Sequence, residues 1–130
     1  MDHRTVTIFE KITRMIKLGN IYLNHGPGHE KHALCARLRN EMLDLYVNSV
    51  DAYHSFHKKK QLSDLNKNHI RVRMLINLYR ELGYFHYRRN KRTRTSSQAM
   101  KSYRALSDMN DEIGRMIGGW IKSDNESKAK

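Results

Sequence analysis

Between residues 30 and 56, Leu34, Leu38, Met42, Leu45, Ser49, Ala52 and Phe56 recur in steps of four and three. Such steps put side chains on one face of a 3.6-residue helix, so this stretch reads as a helix packed along one side. The same spacing returns three more times. Phe9, Ile12, Met15, Ile16 and Leu23 predict a helix over 5–24, with Thr5 or Thr7 as its cap. Leu65, Val72, Leu75, Ile76, Leu78, Tyr79 and Leu82 predict one over 61–83, with Ser63 at its start and Gly83 as its stop. Leu106, Met109, Ile113, Met116, Ile117 and Trp120 predict the last, over 98–123, capped by Thr95, Ser96 or Ser97. The polar tail, 124–130, is expected to fray. No segment has the period-two alternation of a strand, and no hairpin signal separates two strand candidates. Gly26-Pro27-Gly28 is a strong turn signal between the first two helices. Four amphipathic helices on mostly short links predict an all-α, up-down-up-down four-helix bundle, a single domain over 1–130. A chain of this length buries enough surface for one core.

Charge narrows the partners. Twelve Lys or Arg and two acids, Asp64 and Glu81, lie within 58–94, so this stretch holds ten of the chain's twelve surplus positive charges. Blocks of like charge repel one another when left alone, and such a footprint points to a polyanion or an acidic protein. The candidate contacts are Lys58, Lys59 and Lys60 before the third helix, Arg71, Arg73 and Arg80 on it, and Arg88, Arg89, Lys91, Arg92 and Arg94 in the basic link 86–94. Ile70, Arg73, Asn77 and Arg80 share the helix face opposite the apolar stripe, a candidate contact surface. Tyr84, Phe85 and Tyr87 beside the basic link are candidates to stack on bases or to pack beneath the link.

Gly114, Gly118 and Gly119 each weaken a helix by roughly 1 kcal/mol relative to Ala. Close approach of another helix would offset that, which makes Gly114, Gly118, Gly119 and Trp120 a candidate subunit interface. The alternative is that these glycines only loosen a helix end.

Other classes find little support. No apolar run approaches a membrane span, and Met1-Asp2-His3-Arg4 lacks a secretory signal's apolar stretch. Cys35 is the lone cysteine, which suits a reducing, cytoplasmic compartment. His25, His29 and His32 lie close together, but no ligand pattern is completed around them, so no metal or other cofactor is expected. His54 and His57 suit a helix C-terminus. There is no phosphate loop and no nucleophile elbow. A motif-free ribonuclease built from His and Lys remains a third reading, behind two binding roles.

The segment 111–123 resembles the Glu-Ile-Gly-Arg-Met-aliphatic-Gly-Gly-Trp-aliphatic-Lys pattern of the accessory variability determinant (Avd) family of diversity-generating retroelements. Pro27, Arg37-Leu38, Asp44-Leu45, and Arg73, Leu75, Leu78, Glu81 and Leu82 match it elsewhere. The chain departs from the pattern at Asn77, where the family commonly has a second arginine, and in a longer, more basic link at 86–94. The resemblance implies a non-catalytic, homopentameric four-helix bundle, bacterial or phage-encoded. It further implies partners: a reverse transcriptase and template RNA or cDNA, in mutagenic retrohoming. The family belongs to a wider group that includes ribosomal-RNA intervening-sequence proteins, so a bundle acting on ribosomal RNA is the alternative.

Overall fold

The computed structural model describes the backbone over residues 3–129 and the side chains over residues 7–128. Its helices are α1 (His3–Asn24), α2 (Leu34–His54), α3 (Lys59–Glu81) and α4 (Ser96–Ala129). Each packs on the next in sequence and α4 closes back on α1, giving the all-α four-helix bundle that the apolar stripes imply. One face of every helix supplies the core. Ile12 and Met15 of α1, Leu38, Met42 and Leu45 of α2, Leu65, Val72 and Ile76 of α3, and Leu106, Ile113 and Ile117 of α4 are all closed to solvent. Among the described residues no helix is long and apolar enough to cross a membrane.

The helix ends differ from the sequence expectation, and each difference has a local cause. α1 begins at His3, so Thr5 and Thr7 lie within it; the side chain of Thr5 is outside those described. Residues Gly28–Glu30 form a single 3-10 turn, and α2 starts only at Leu34, whose N–H donates to the Glu30 carboxylate at 3.0 Å. That bond, with one from the Tyr84 hydroxyl, holds the Glu30 carboxyl below its ordinary pKa.

α2 stops at His54 because Lys58 terminates it. The Lys58 ammonium donates to the carbonyls of Ala52, Tyr53 and Ser55 at 2.9, 2.9 and 2.8 Å, supplying charge and donors where a helix lacks both. Phe56 therefore falls beyond the stripe and is 92% exposed. α3 begins at Lys59, which leaves Ser63 inside the helix rather than at its cap. Leu78 and Leu82 are exposed instead of buried, and Leu62, Asn68 and His69 take inward positions. α4 opens on a capping box: Gln98 N–H donates to Thr95 Oγ1 at 3.1 Å, and Thr95 N–H donates to Gln98 Oε1 at 2.8 Å. It continues past Ser123 through Ala129, with Lys128 paired to Asp124 one turn back at 3.2 Å.

A short antiparallel hairpin between α3 and α4 was not expected. Its strands are β1 (Tyr87–Arg88) and β2 (Lys91–Arg92). Arg89 and Asn90 form the turn with φ of 50° and 65°, the left-handed pair that a two-residue type I′ turn requires. Asparagine tolerates that region better than most residues, and this was the one local signal of the turn.

Candidate nucleic-acid interface

The sequence-predicted cations do not form one flank. Lys58, Lys59 and Lys60 lie at the start of α3 and the hairpin follows its end, about 33 Å away along a helix of this length. Between them, the arginines of α3 divide between two seams of the bundle.

Arg71 belongs to the α2–α3 seam. Its Nε donates to both oxygens of Glu41 at 3.1 and 3.2 Å, and Arg37 reaches the same carboxylate at 3.3 Å. Glu41 is buried, and so is Asn68, whose amide donates to its carboxylate at 2.8 Å and to its carbonyl at 3.0 Å. Asn48 completes the network through the Asn68 oxygen at 3.1 Å. A buried carboxylate needs such partners, so Arg71 is a structural counter-ion.

Arg73 and Arg80 face α4. Arg73 donates to His69 Nε2 at 3.1 Å and lies 3.9 Å from Asp111. With Nε2 accepting, the His69 proton sits on Nδ1 and is donated to Asn110 Oδ1 at 3.3 Å. Burial, before any other influence, lowers the His69 pKa below its usual value. Arg80 lies 4.7 Å over the Tyr103 ring, and its guanidinium is 3.5 Å from Glu81. The Tyr103 hydroxyl in turn donates to Asn77 at 2.9 Å, which occupies the residue that departs from the Avd pattern.

Two further candidates are also engaged. Lys60 pairs with Asp64 at 2.8 Å. Arg94 holds the base of the hairpin onto α4, donating to Phe85 O, Gln98 O and Ser102 Oγ at 2.9, 3.0 and 2.8 Å.

The hairpin itself is different. It is docked on the α1–α2 link: Asn90 N–H donates to His25 O at 3.3 Å, Arg89 N–H donates to His25 Nδ1 at 3.2 Å, and the Asn90 side chain accepts from Gly28 N–H. No local pattern marks these anchors: the sequence shows His25 only beside two other histidines and Gly28 only in a turn, whereas the fold uses both to hold the hairpin. The anchors fix the loop while its four cations stay exposed; the Arg92 guanidinium folds back over Gly83, and Arg88 borders the cavity at the root of the hairpin. Arg88 and Lys91 stand directly opposite one another, and Tyr87 opposes Arg92. Like charges across a strand pair repel. Among the described residues none of Arg88, Arg89, Lys91 or Arg92 has a carboxylate within ion-pair distance, and the same holds for Lys59, the first residue of α3. Glu30, the one acid of the link beneath the hairpin, is taken by Leu34 N–H and Tyr84 O–H. Of the neighbouring aromatic residues, Phe85 is buried and Tyr84 packs edge-on against Tyr79, while Tyr87 is half-buried beside the cations.

The glycines of α4 also separate. A Cβ on Gly114 would clash with the His69 ring, so this glycine admits α3 within the bundle. Trp120 is buried in the subunit's own core. A Cβ on Gly118 or Gly119 would meet nothing within 4 Å. The described residues contain no group of three or more His, Cys, Asp or Glu placed to hold a metal.

A family model described as bAvd-like matches residues 6–124, nearly the whole bundle. The chain belongs to the bAvd-like family. At that level it is an accessory protein of a diversity-generating retroelement, from a family of non-catalytic proteins associated with the retroelement machinery. No curated protein and no solved structure gives a match. Within the bAvd-like match lie all four helices' core positions, the hairpin and the three α4 glycines.

Proposed function

We propose that this chain is a non-catalytic scaffold that binds the retroelement's reverse transcriptase and template RNA, and that its hairpin is the phosphate-binding element. The observation that carries the RNA contact is the juxtaposition of Arg88 with Lys91 at a turn containing Arg89, with no carboxylate among the described residues to neutralise them. A loop anchored through its backbone holds this repulsive cluster in place, and a polyanion relieves the repulsion. Arginine adds a planar fork that suits phosphate oxygens. The reverse transcriptase is assigned to the exposed middle of α3, where Ile70, Met74 and Leu78 form an apolar ridge between the two arginine seams. No group on the hairpin reads sequence, so the choice of template would come from the enzyme.

The scaffold reading includes a homo-oligomer, a pentamer by resemblance, packed through the open face at Gly118 and Gly119. Each of these residues weakens α4 by roughly 1 kcal/mol relative to Ala, and among the described residues a Cβ on either would meet nothing within 4 Å. Repetition of the hairpin around a ring would raise avidity without new contacts. A solution mass of 15.4 kDa by light scattering, that of a single chain, would contradict the assembly.

The test of RNA binding is its salt dependence. A short single-stranded RNA that covers one hairpin and neutralises four cations should give a slope of log affinity against log salt of about −3. A slope near zero in filter binding would overturn the RNA contact. Pull-down of a co-expressed reverse transcriptase tests the other half, with loss on Met74→Glu expected and retention contradicting the α3 assignment.

A further inference from the structure

At the root of the hairpin, between α1 and the start of α4, lies a cavity of about 270 Å³. Its walls are aromatic and aliphatic: Tyr22, Phe85, Tyr87 and Ile21 line it, and Ile21 is 55% exposed although it faces this cavity. Tyr22 meets Phe85 edge-on with ring centres 6.2 Å apart, and Tyr87 meets Tyr84 in the same way at 6.0 Å. The floor is rigid, because Arg94 is held by three hydrogen bonds.

The polar groups at the edge are donors. His25 also lines the cavity, and its Nδ1 accepts from Arg89 N–H, so in the neutral ring the proton is on Nε2. Gln98 uses its oxygen to receive Thr95 N–H, and its NH₂ group has no partner among the described residues. Arg88, another lining residue, has no ion-pair partner there either. No carboxylate lines the cavity.

We infer that this cavity receives one unstacked nucleobase of a single-stranded RNA whose phosphates lie along the hairpin cations. A planar ring among aromatic walls gains stacking, the donors meet the acceptor edges of a base, and the adjoining cations match the phosphates on either side. The volume is just below that of drug-sized ligand sites, the scale of a single base rather than of a folded element. An aromatic side chain of a protein partner would fill the walls but leave the adjoining cations and the edge donors without acceptors. The inference deepens the RNA contact proposed above and rests on it: phosphate binding alone makes no distinction between paired and unpaired strands, whereas a base pocket does.

The experiment compares the full chain's affinity for three probes at one ionic strength: a single-stranded RNA oligomer, the same oligomer annealed to its complement, and inorganic polyphosphate, which has charge without bases. The wild-type protein should favour the single strand over the other two. Tyr87→Leu, which removes the ring but keeps apolar volume, should weaken single-strand binding by about five- to 150-fold, the range found when a base loses its aromatic platform. Tyr87→Phe should retain it, and both variants should keep wild-type circular dichroism. Binding of polyphosphate and duplex should be unchanged in both. Equal affinity of the wild-type protein for all three probes would overturn the base pocket while leaving phosphate binding intact. A salt slope near zero with every probe would instead remove the underlying RNA reading.

Discussion

The arginines of α3 and those of the hairpin are the same chemical group, yet the fold uses them in opposite ways. Arg71 neutralises the buried Glu41, Arg73 serves His69 and Asp111, and Arg80 covers Tyr103. Arg88, Arg89 and Lys91 meet no acid among the described residues, and the pairing register sets two of them face to face. A helix in a bundle has neighbours on two sides, so long cations at its flanks find partners. A two-residue turn projects beyond its support, and its side chains are left to solvent or a ligand. Net charge alone therefore identifies a binder's class, and the site only emerges when internally paired cations are set aside.

This contrast can be sharpened by removing charges from each region. Glu41→Leu should destabilise the bundle most, by about 1–3 kcal/mol in urea melts, because buried Asn68 loses its carboxylate partner. A change near zero would mean that the α2–α3 seam does not need its ion pairs. Lys58→Met should follow, lowering stability by about 1–2 kcal/mol through loss of the charged donors at the α2 terminus. Its RNA affinity should stay near that of the parent; a loss would return Lys58 to the contact set. Conversion of Arg88, Arg89 and Lys91 together to Gln should leave stability within about 0.5 kcal/mol, since no internal partner is lost. Marked unfolding would show the hairpin cations to be structural.

The smallest effect concerns pH. Burial lowers the folded pKa of His69 below the ordinary value of 6.5, so its neutral form is the one the α3–α4 seam accommodates. Its contribution is fully present above pH 6.5 and is lost as pH falls from there through the lowered folded pKa. His69→Gln should flatten that part of the stability–pH profile. An unchanged profile would place the titration elsewhere.

Much of the fold was legible because it rests on repeated spacing. Leu38, Met42 and Leu45, or Ile113 and Ile117, announce their face of the helix by position alone, and the structure buries them. The helix ends were less so. The helix-terminating role of Lys58 comes from a flexible side chain reaching backwards over three carbonyls, which no spacing rule records. Phe56 fits the stripe's arithmetic but comes after the chain has left the helix. The hairpin was hidden because its turn uses Arg89 and Asn90 in place of the usual glycine, and because its stability comes from His25 and Gly28, more than sixty residues earlier. The candidate site was legible as composition, five cations in residues 88–94, but which of them are free depended on contacts distant in sequence.

The most direct measurement sets the two charged regions against each other in one titration. A short single-stranded RNA is bound to the parent chain, to the Arg88, Arg89 and Lys91 triple Gln variant, and to a Lys58 and Lys60 double Met variant. The expected result is that the hairpin variant loses most of its affinity and most of its salt dependence, while the double variant binds as the parent does. Equal losses in the two variants, or a greater loss in the second, would contradict the hairpin as the phosphate-binding element.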